Sequence, residues 1–221
     1  NDLITDDPDI FFEECFDYVL EGAGHEALFS YGPRVLKNQS DLLITSTGAL
    51  TDDVFFEKLI SLSKKHNSKI MIPSAGIGAL DILTASSFGK LYEVNITVRK
   101  NTEAWFGTIA EKKFDLKTYN DNLLLFSGTV REGAKLYPQN VNISATVALS
   151  GLGLDKTNLK IISDSSIDTH IISVNAKGDF GEFNFEENVI PYEENQKTGK
   201  IVSLAIIKSI QNLNANLVIG S

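Results

Sequence analysis

The segment DLLITSTGALTDDVFFEKLISLSKKHNSKIMIPS, residues 41–74, decides the fold class of this chain. It starts with an apolar run that opens into the polar turn TSTG, which predicts a strand ending in a turn. A helix follows, with Thr51 as its predicted cap, acidic residues in its first turn and apolar residues at helical spacing. The run KIMIPS then predicts another strand. Strand, helix and strand in this order require a crossover connection, so the strands are expected to be parallel.

The same alternation extends to both sides of this segment. CFDYVLEGAG (15–24) predicts a short buried strand, and HEALFSYGPRVLKNQ (25–39) predicts a helix that Gly32 and Pro33 can interrupt. The stretch GALDILTASSFGK (78–90) predicts a further helix. Alternating strands and helices indicate a parallel sheet whose ligand sites lie at the carboxyl ends of its strands.

The pattern changes from about Leu91 onwards. Segments rich in β-branched residues and separated by turns follow one another, as in LYEVNITVRK (91–100), with one clear helix in NVNISATVALSGLG (140–153). This pattern is typical of an α+β domain with a largely antiparallel sheet. The final stretch, 197–221, predicts a helix with a broad apolar face, which we expect to return to the sheet of the first domain.

The composition limits the classes of function and partner. A chain of 221 residues can form one large or two small globular domains. With 29 acidic and 20 basic side chains, the net charge of -9 argues against nucleic acid, whose binding requires clustered cations. No apolar run approaches the roughly 20 residues that cross a bilayer, so we expect no membrane partner and a cytoplasmic location. The single Cys15 excludes an internal disulfide and a cysteine zinc cage; we expect it to pack rather than react, and we expect no metal site.

The stretch MIPSAGIGALD (71–81) raises the question of a nucleotide-binding turn. Gly76 and Gly78 follow a short apolar strand and precede a helix, as in many phosphate-binding turns. A dinucleotide fingerprint also requires a third glycine and a later strand that ends in an acidic residue, and this stretch has neither. The other interpretations are a close strand-to-helix turn, or a turn at the mouth of a ligand cleft whose backbone N–H groups contact a head group.

Small, donor-rich residues follow the two preceding predicted strands as well. They occur in EGAGHE (21–26) and in TSTGA (45–49), and PSAGIG (73–78) is the third such strand end. An ordinary turn could occur at each position alone. Three consecutive strand ends of this kind favour one shared ligand crevice.

Several segments carry a resemblance to a known family. The most specific is GTVREGAKLYPQNVNISATVAL (128–149), which is similar to the family block G-S-x-x-E-A-x-x-F-P-x-N-x-N-V-A-x-T. PSAGIGALD (73–81) resembles the family's P-S-G-A-I-G-G-L-D. The segments VLEGAGHEAL, LLITSTGALTDDVF, THII, NAKGDFGEF and NQKTGK follow the family order along the chain. On these residues the chain resembles the L-aspartate dehydrogenase family of NAD(P)-dependent enzymes.

The resemblance implies an α/β protein with two domains. Residues 1–73 and 195–221 would form a truncated Rossmann-type parallel-sheet domain that binds NAD or NADP, and 74–194 an α+β domain for catalysis and dimerisation. The implied reaction oxidises L-aspartate to iminoaspartate by hydride transfer. The imine then hydrolyses to oxaloacetate and ammonia or feeds NAD biosynthesis. The expected assembly is a homodimer.

The chain departs from the family pattern at several positions. The family's first strand and G-x-G-x-x-G turn are missing ahead of Asn1, so we interpret the chain as a fragment without its first βαβ unit. PSAGIG inverts the Gly-Ala order of the family loop. SDSSIDTH (163–170) is shorter than the family segment and has Asp168 where Asn is usual. These departures leave open an alternative, a non-catalytic dimeric or ligand-binding relative, or a dehydrogenase for another amino acid.

His170 matches the catalytic histidine of the family. An imidazole can activate the water that attacks the imine carbon, or accept a proton from the amine. A lone histidine in a half-buried strand can also be structural, and only the matching context favours catalysis. Asp168 would point to the same side of an extended strand and could orient the ring.

The resemblance also implies residues that bind the ligands. The cofactor-binding candidates are Ala23, Ser46, Thr47, Gly76 and Asn142. The substrate-binding candidates are Ser74, Lys100 and Lys197. Asn142 is equally suited to cap the helix that follows it, and lysines are more often solvated than bound to a ligand.

Overall fold

A computed structural model describes residues 4–74, 76–118, 122–195 and 198–220. The chain divides into two compact units, Asn1–Pro73 and Ser74–Ser221.

The first unit contains a three-stranded parallel sheet with the order β1-β2-β3. Its strands are β1 (Tyr18–Glu21), β2 (Asp41–Ile44) and β3 (Ile70–Met71). Its helices are α1 (Pro8–Glu13), α2 (His25–Lys37) and α3 (Asp53–His66), and a 3-10 turn spans Thr47–Thr51. The predicted strand, helix and crossover are therefore confirmed.

Three local features of this unit differ from the sequence predictions. The helix α2 continues through Pro33 to Lys37 without interruption. Asp52 rather than Thr51 caps α3, because its carboxylate accepts a hydrogen bond from the N–H of Phe55 at 3.0 Å. Cys15 is exposed, so the expectation that it packs in the core is wrong.

The core of the first unit lies where α2 and α3 pack against the sheet and the 3-10 turn. It is formed by apolar side chains with at most 7% exposure, namely Leu28, Val35, Leu36, Leu42, Leu43, Ile44, Leu50, Phe55 and Leu59. The strand β2 is central, and this explains why its apolar residues form a continuous run instead of alternating with polar ones.

The second unit contains a five-stranded sheet with the order β5-β6-β4-β7-β8. Its strands are β4 (Leu91–Lys100), β5 (Leu123–Thr129), β6 (Asn158–Ser163), β7 (His170–Gly178) and β8 (Gly181–Val189). Its helices are α4 (Leu80–Ser86), α5 (Ile109–Lys113), α6 (Val130–Leu136), α7 (Asn142–Ser150) and α8 (Ile201–Asn212). The strands β4 and β6 are parallel, and the other neighbours are antiparallel, as predicted for an α+β unit.

The two faces of this sheet differ in polarity. The inner face carries buried apolar residues at every second position of β4, and α7 packs over it. The opposite face carries a row of asparagines, in which Asn158 donates to Asn95 at 2.9 Å, and Asn175 to Asn184 at 2.8 Å. The alternation within β4 therefore determines which side chains point towards the helices.

The last helix groups with the second unit, whereas the sequence placed 195–221 with the first domain. Pro191 and Gly199 form an isolated antiparallel bridge just before α8 begins. Within α8, the hydroxyl of Ser203 lies 2.6 Å from that of Tyr192. These contacts tie the start of α8 to the segment that follows β8.

Candidate active site

His170 and Lys100 lie directly opposite each other in the sheet of the second unit. His170 is the first residue of β7 and Lys100 is the last residue of the antiparallel strand β4. Both are buried, with 4% and 3% exposure. Side chains of directly opposite residues point to the same face with their Cβ atoms about 4.5–5.5 Å apart. The side chains of His170 and Lys100 therefore lie next to each other on the inner face of the sheet.

The surroundings of Lys100 fix its main chain. Its carbonyl accepts hydrogen bonds from the N–H of Asp164 at 2.9 Å and from the indole N–H of Trp105 at 3.4 Å. Its Nζ lies 6.0 Å from the centre of the fully buried Trp105 ring. This distance is within the range of a cation–π contact.

Asp164 was not singled out by the sequence analysis. It follows β6 and is 2% exposed. Its carboxylate accepts from the N–H and the hydroxyl of Ser166, at 2.9 and 2.6 Å, and lies 3.5 Å from Arg99 Nη1. It is thus a buried, satisfied acid that holds the end of β6 beside Lys100. An acidic residue directly after an apolar strand is the signal that could have indicated it.

Asp168 does not have the geometry expected from the sequence. It is exposed and lies in a bend, and β7 begins only at His170. The expectation that both residues share one face of an extended strand is therefore wrong, because the period-2 rule applies only inside a strand.

Asn142 is the first residue of α7 rather than its cap. The N-cap is Val141, which forms no side-chain hydrogen bond with the helix. The interpretation of Asn142 as a helix cap is therefore wrong, and its side chain is half-buried at the first helical turn. The beginning of α7 consequently presents backbone N–H groups without a side-chain cap.

Gly76 lies beside the start of α7 and the start of α8. A Cβ atom at this position would lie 3.3 Å from Ile143 Cδ1 and 3.6 Å from Val202 Cγ2. Because Ile143 follows Asn142 in α7, the structure brings Gly76 close to the start of this helix. Gly76 is itself buried, and the absence of a side chain lets its backbone approach Ile143 and Val202 closely.

Two polar side chains near Asn142 are buried without a partner among the described residues. Both amide atoms of Asn140 and the hydroxyl of Ser144 make no hydrogen bond there, although these residues are only 9% and 1% exposed. Buried polar atoms are nearly always satisfied. The N-terminal turn of α7 therefore has hydrogen-bonding capacity to offer a polar ligand.

A series of contacts connects the N-terminal turn of α7 with His170. Val189 pairs with His170 across β7 and β8, and Gly199 packs against Val189 because a Cβ there would overlap it. Gly199 lies two residues before the start of α8, whose Val202 lies next to Gly76. A series of contacts therefore runs from His170 through Val189 and Gly199 to Gly76 and the start of α7.

The remaining candidates of the second unit are less defined. Ser74 is half-buried, and its carbonyl accepts from the N–H of Ile77 at 3.0 Å, which closes the turn. Lys197 and Ala75 lie outside the described residues, so the inverted Ala75-Gly76 order has no structural account.

In the first unit, Ala23, Ser46 and Thr47 follow the carboxyl ends of β1 and β2, as predicted. Ala23 is exposed, whereas Ser46 and Thr47 are 5% and 2% exposed. The backbone N–H of Ala23 and the N–H and hydroxyl of Ser46 donate to the carboxylate of Glu21. A cavity of about 400 Å³ opens beside this strand end, with Glu21 and Gly22 in its wall.

Parallel strands that end in donor-rich turns are typical of dinucleotide-binding sheets. Together with an α+β unit that holds a buried histidine, they fit the class of NAD(P)-dependent dehydrogenases. Residues 1–73 match the family described as "Homoserine dehydrogenase, NAD binding domain", and residues 81–213 match "Aspartate dehydrogenase, C-terminal". The chain belongs to the L-aspartate dehydrogenase family.

Relatives and solved structures agree with this assignment. L-aspartate dehydrogenase from Ralstonia pickettii is 36% identical over 196 residues, which cover 89% of this chain and 73% of the relative. The enzyme from Methanosarcina mazei is 31% identical over 207 residues, which cover 93% and 76%. The crystal structure of aspartate dehydrogenase from Thermotoga maritima superimposes with a TM-score of 0.77 and 26% identity, covering 92% of this chain and 78% of that one.

A more distant structure shows the fold alone. A hyperthermophilic archaeal homoserine dehydrogenase in complex with NADPH superimposes with a TM-score of 0.53 at 10% identity, covering 93% of this chain and 73% of that chain. The predicted α/β fold class and the predicted NAD or NADP cofactor are confirmed by these matches. Within the described residues, no helix has the length and apolarity required to span a membrane.

Proposed function

We propose that this protein oxidises L-aspartate to iminoaspartate with NAD or NADP as the hydride acceptor, and that the imine hydrolyses to oxaloacetate and ammonia. The observation that carries the proposal is the buried His170 opposite the buried Lys100, in a chain of the L-aspartate dehydrogenase family.

Each unit, taken by itself, contains residues suited to the cofactor. In the first unit, the turns at Ala23, Ser46 and Thr47 follow parallel strands, which is where dinucleotides bind in such sheets. In the second unit, Gly76 lies beside Ile143, and Asn142 is close in sequence to Asn140 and Ser144, whose buried polar atoms have no hydrogen-bond partner among the described residues. When bound, the nicotinamide group supplies the acceptor for the hydride.

Substrate recognition is assigned to cationic and hydroxyl groups. L-aspartate carries two carboxylates, and the ammonium group of Lys100 is suited to one of them. Burial strengthens such a contact, since water does not screen it. Ser74 is a further candidate, and Lys197 is retained as a candidate from the sequence.

His170 acts as the acid/base group of the reaction. Either it accepts a proton from the substrate amine, or it removes a proton from the water that attacks the imine carbon. His170 begins β7 opposite Lys100, the residue proposed to bind a substrate carboxylate, and this pairing supports the role.

The assembly, the location and the metabolic role of the protein are proposed from family membership and composition. We include in the proposal a homodimer formed through the second unit, a cytoplasmic location, and a supply of iminoaspartate to NAD biosynthesis. The single exposed Cys15 is compatible with a reducing compartment.

The test is aspartate-dependent formation of NADH and NADPH by the protein expressed from its complete coding sequence. His170→Ala should lower kcat by about 10²–10⁴-fold, the usual contribution of a general acid/base. His66→Ala, at the end of α3, is the control and should leave kcat unchanged. Equal rates for the wild-type and His170→Ala proteins would overturn the catalytic role. Activity with another amino acid but not with aspartate would change the substrate and keep the reaction class.

A further inference from the structure

The carboxylate of Glu21 accepts hydrogen bonds from two turns at the carboxyl ends of the strands in the first unit. Its Oε1 accepts from the N–H of Ala23 at 2.9 Å, the N–H of Gly24 at 2.8 Å and the hydroxyl of Ser46 at 2.9 Å. Its Oε2 accepts from the N–H of Ser46 at 3.0 Å. Glu21 is the last residue of β1 and is 8% exposed.

We propose that Glu21 is a positioning residue of the cofactor site, whose carboxylate fixes the turns after β1 and β2 in the conformation that receives the dinucleotide. This role rests on the proposed function, because it assumes that these turns contact NAD or NADP. Glu21 itself acts through Ala23 and Ser46 and need not touch the ligand.

The hydrogen bonds of Glu21 support a role in which its carboxylate links two turns. Ala23 and Gly24 belong to the turn after β1, and Ser46 belongs to the turn after β2, so one carboxylate links both. The main chain strengthens this link, since the hydroxyl and the N–H of Thr45 donate to the carbonyl of Glu21 at 2.9 and 3.3 Å. Moving Glu21 would therefore release two adjacent strand ends together.

The charge of Glu21 determines what these turns can bind. The helix α2 begins at His25 after Gly24, and a helix N-terminus attracts anions. The carboxylate of Glu21 already accepts from the N–H of Gly24, so the chain's own anion takes the place that an external phosphate would take. We therefore expect the turn to face an uncharged or cationic part of the ligand.

A matched control lies at the opposite edge of the same sheet. Asp41, the first residue of β2, accepts a hydrogen bond from the N–H of Lys69 at 2.7 Å. It thus links the start of β2 to the segment before β3, as Glu21 links the ends of β1 and β2. Both carboxylates stabilise the sheet, but only Glu21 adjoins the candidate cofactor residues.

The experiment titrates NADH and NADPH into the protein from its complete coding sequence by isothermal calorimetry, for the wild type, Glu21→Gln and Asp41→Asn. In Glu21→Gln, the NH₂ group of glutamine would face backbone N–H groups that need a hydrogen-bond acceptor. Dinucleotide binding should therefore weaken by about tenfold or more. Asp41→Asn should bind within about twofold of the wild type, because Asp41 lies at the other end of the strands from the candidate cofactor residues. In turnover assays the KM for the dinucleotide should rise with Glu21→Gln while the KM for aspartate changes much less.

Equal dinucleotide affinity of Glu21→Gln and the wild type would overturn the proposal. Equal weakening by both variants would also overturn it, because it would show general loosening of the sheet. If Glu21→Gln does not fold, Glu21→Asp provides the test, since it keeps the charge but is too short to reach both turns. Dinucleotide binding without aspartate oxidation would reject only the substrate assignment, and an absence of binding in the wild type would reject both proposals.

Discussion

Lys100 and His170 are cross-strand partners at the point where β4 ends and β7 begins, and both side chains are buried on the inner face of the sheet. Their pairing places a cationic group next to a titratable imidazole. This arrangement suits a dicarboxylate substrate, because one group can hold a carboxylate while the other moves a proton.

Replacement of Lys100 tests the substrate contact. Lys100→Met keeps most of the apolar stem and removes the ammonium group, so we expect the KM for aspartate to rise by about 10–100-fold, the value of a hydrogen bond to a charged group. The control is Lys177→Met on β7, whose exposed side chain forms a surface pair with Glu182 at 3.6 Å. Steady-state kinetics decide the question, and an unchanged KM for Lys100→Met would remove Lys100 from the substrate site.

Replacement of Gly76 tests the close approach at the start of α7. The methyl group of Gly76→Ala would lie 3.3 Å from Ile143 Cδ1, which is tighter than most contacts of this kind. We expect weaker dinucleotide binding, measured by fluorescence titration, with only a small loss of stability. Gly89→Ala is the control, because its methyl group would meet Ser86 O at an ordinary 3.6 Å. Unaltered binding by Gly76→Ala would contradict the assignment of Gly76 to the cofactor site.

Replacement of Asn142 separates ligand binding from helix capping. Since the N-cap of α7 is Val141, Asn142→Ala should leave stability nearly unchanged and weaken dinucleotide binding by about 3–10-fold. Thr129→Ala is the comparison, because Thr129 and Glu132 form a capping box at α6, and loss of such a cap costs about 1 kcal/mol. A large loss of stability in Asn142→Ala, measured by urea unfolding, would instead indicate a structural role.

Local patterns in the sequence predicted the framework of both units. The strand, helix and strand of 41–74, the change at Leu91 and the helix in 140–153 all appear in the structure. These features depend on periodicity and turn chemistry within a few residues, which a single sequence displays directly. The position of the cap was missed by one residue at α3, because Thr51 and Asp52 are both suitable caps and only the geometry selects Asp52.

The organisation of the site was less accessible from the sequence. Lys100 was only a weak candidate, since its pairing with His170 depends on the register of strands far apart in the chain. Glu21 resembles any surface acid at a strand end, and the sequence does not show that Ser46 of a second turn also donates to it. Asp168 was misassigned, because the sequence does not show that β7 begins two residues later. Non-local hydrogen bonds and strand registers therefore account for the misses.

The pH dependence of stability provides a test of the inner face of β8. Burial raises the pKa of Glu187 above its ordinary value of 4.5, although the backbone N–H of Gly78 donates to its carboxylate and partly opposes this shift. Below pH 4.5 the carboxyl is protonated in both the folded and the unfolded protein. As the pH rises from there through the folded-state pKa, the folded protein binds more protons than the unfolded one, so stability falls.

Glu187→Gln removes this titration and keeps the size of the side chain. The measurement is urea unfolding at several pH values from 4 to 8. The variant should gain stability relative to the wild type as the pH rises through the folded-state pKa of Glu187. Above that pKa, the difference in unfolding free energy between the two proteins should stay constant. Glu132→Gln is the control of opposite sign, because the N–H of Thr129 lowers the pKa of Glu132 and its contribution is lost as the pH falls. A pH-independent difference between Glu187→Gln and the wild type would show that burial does not shift this carboxyl.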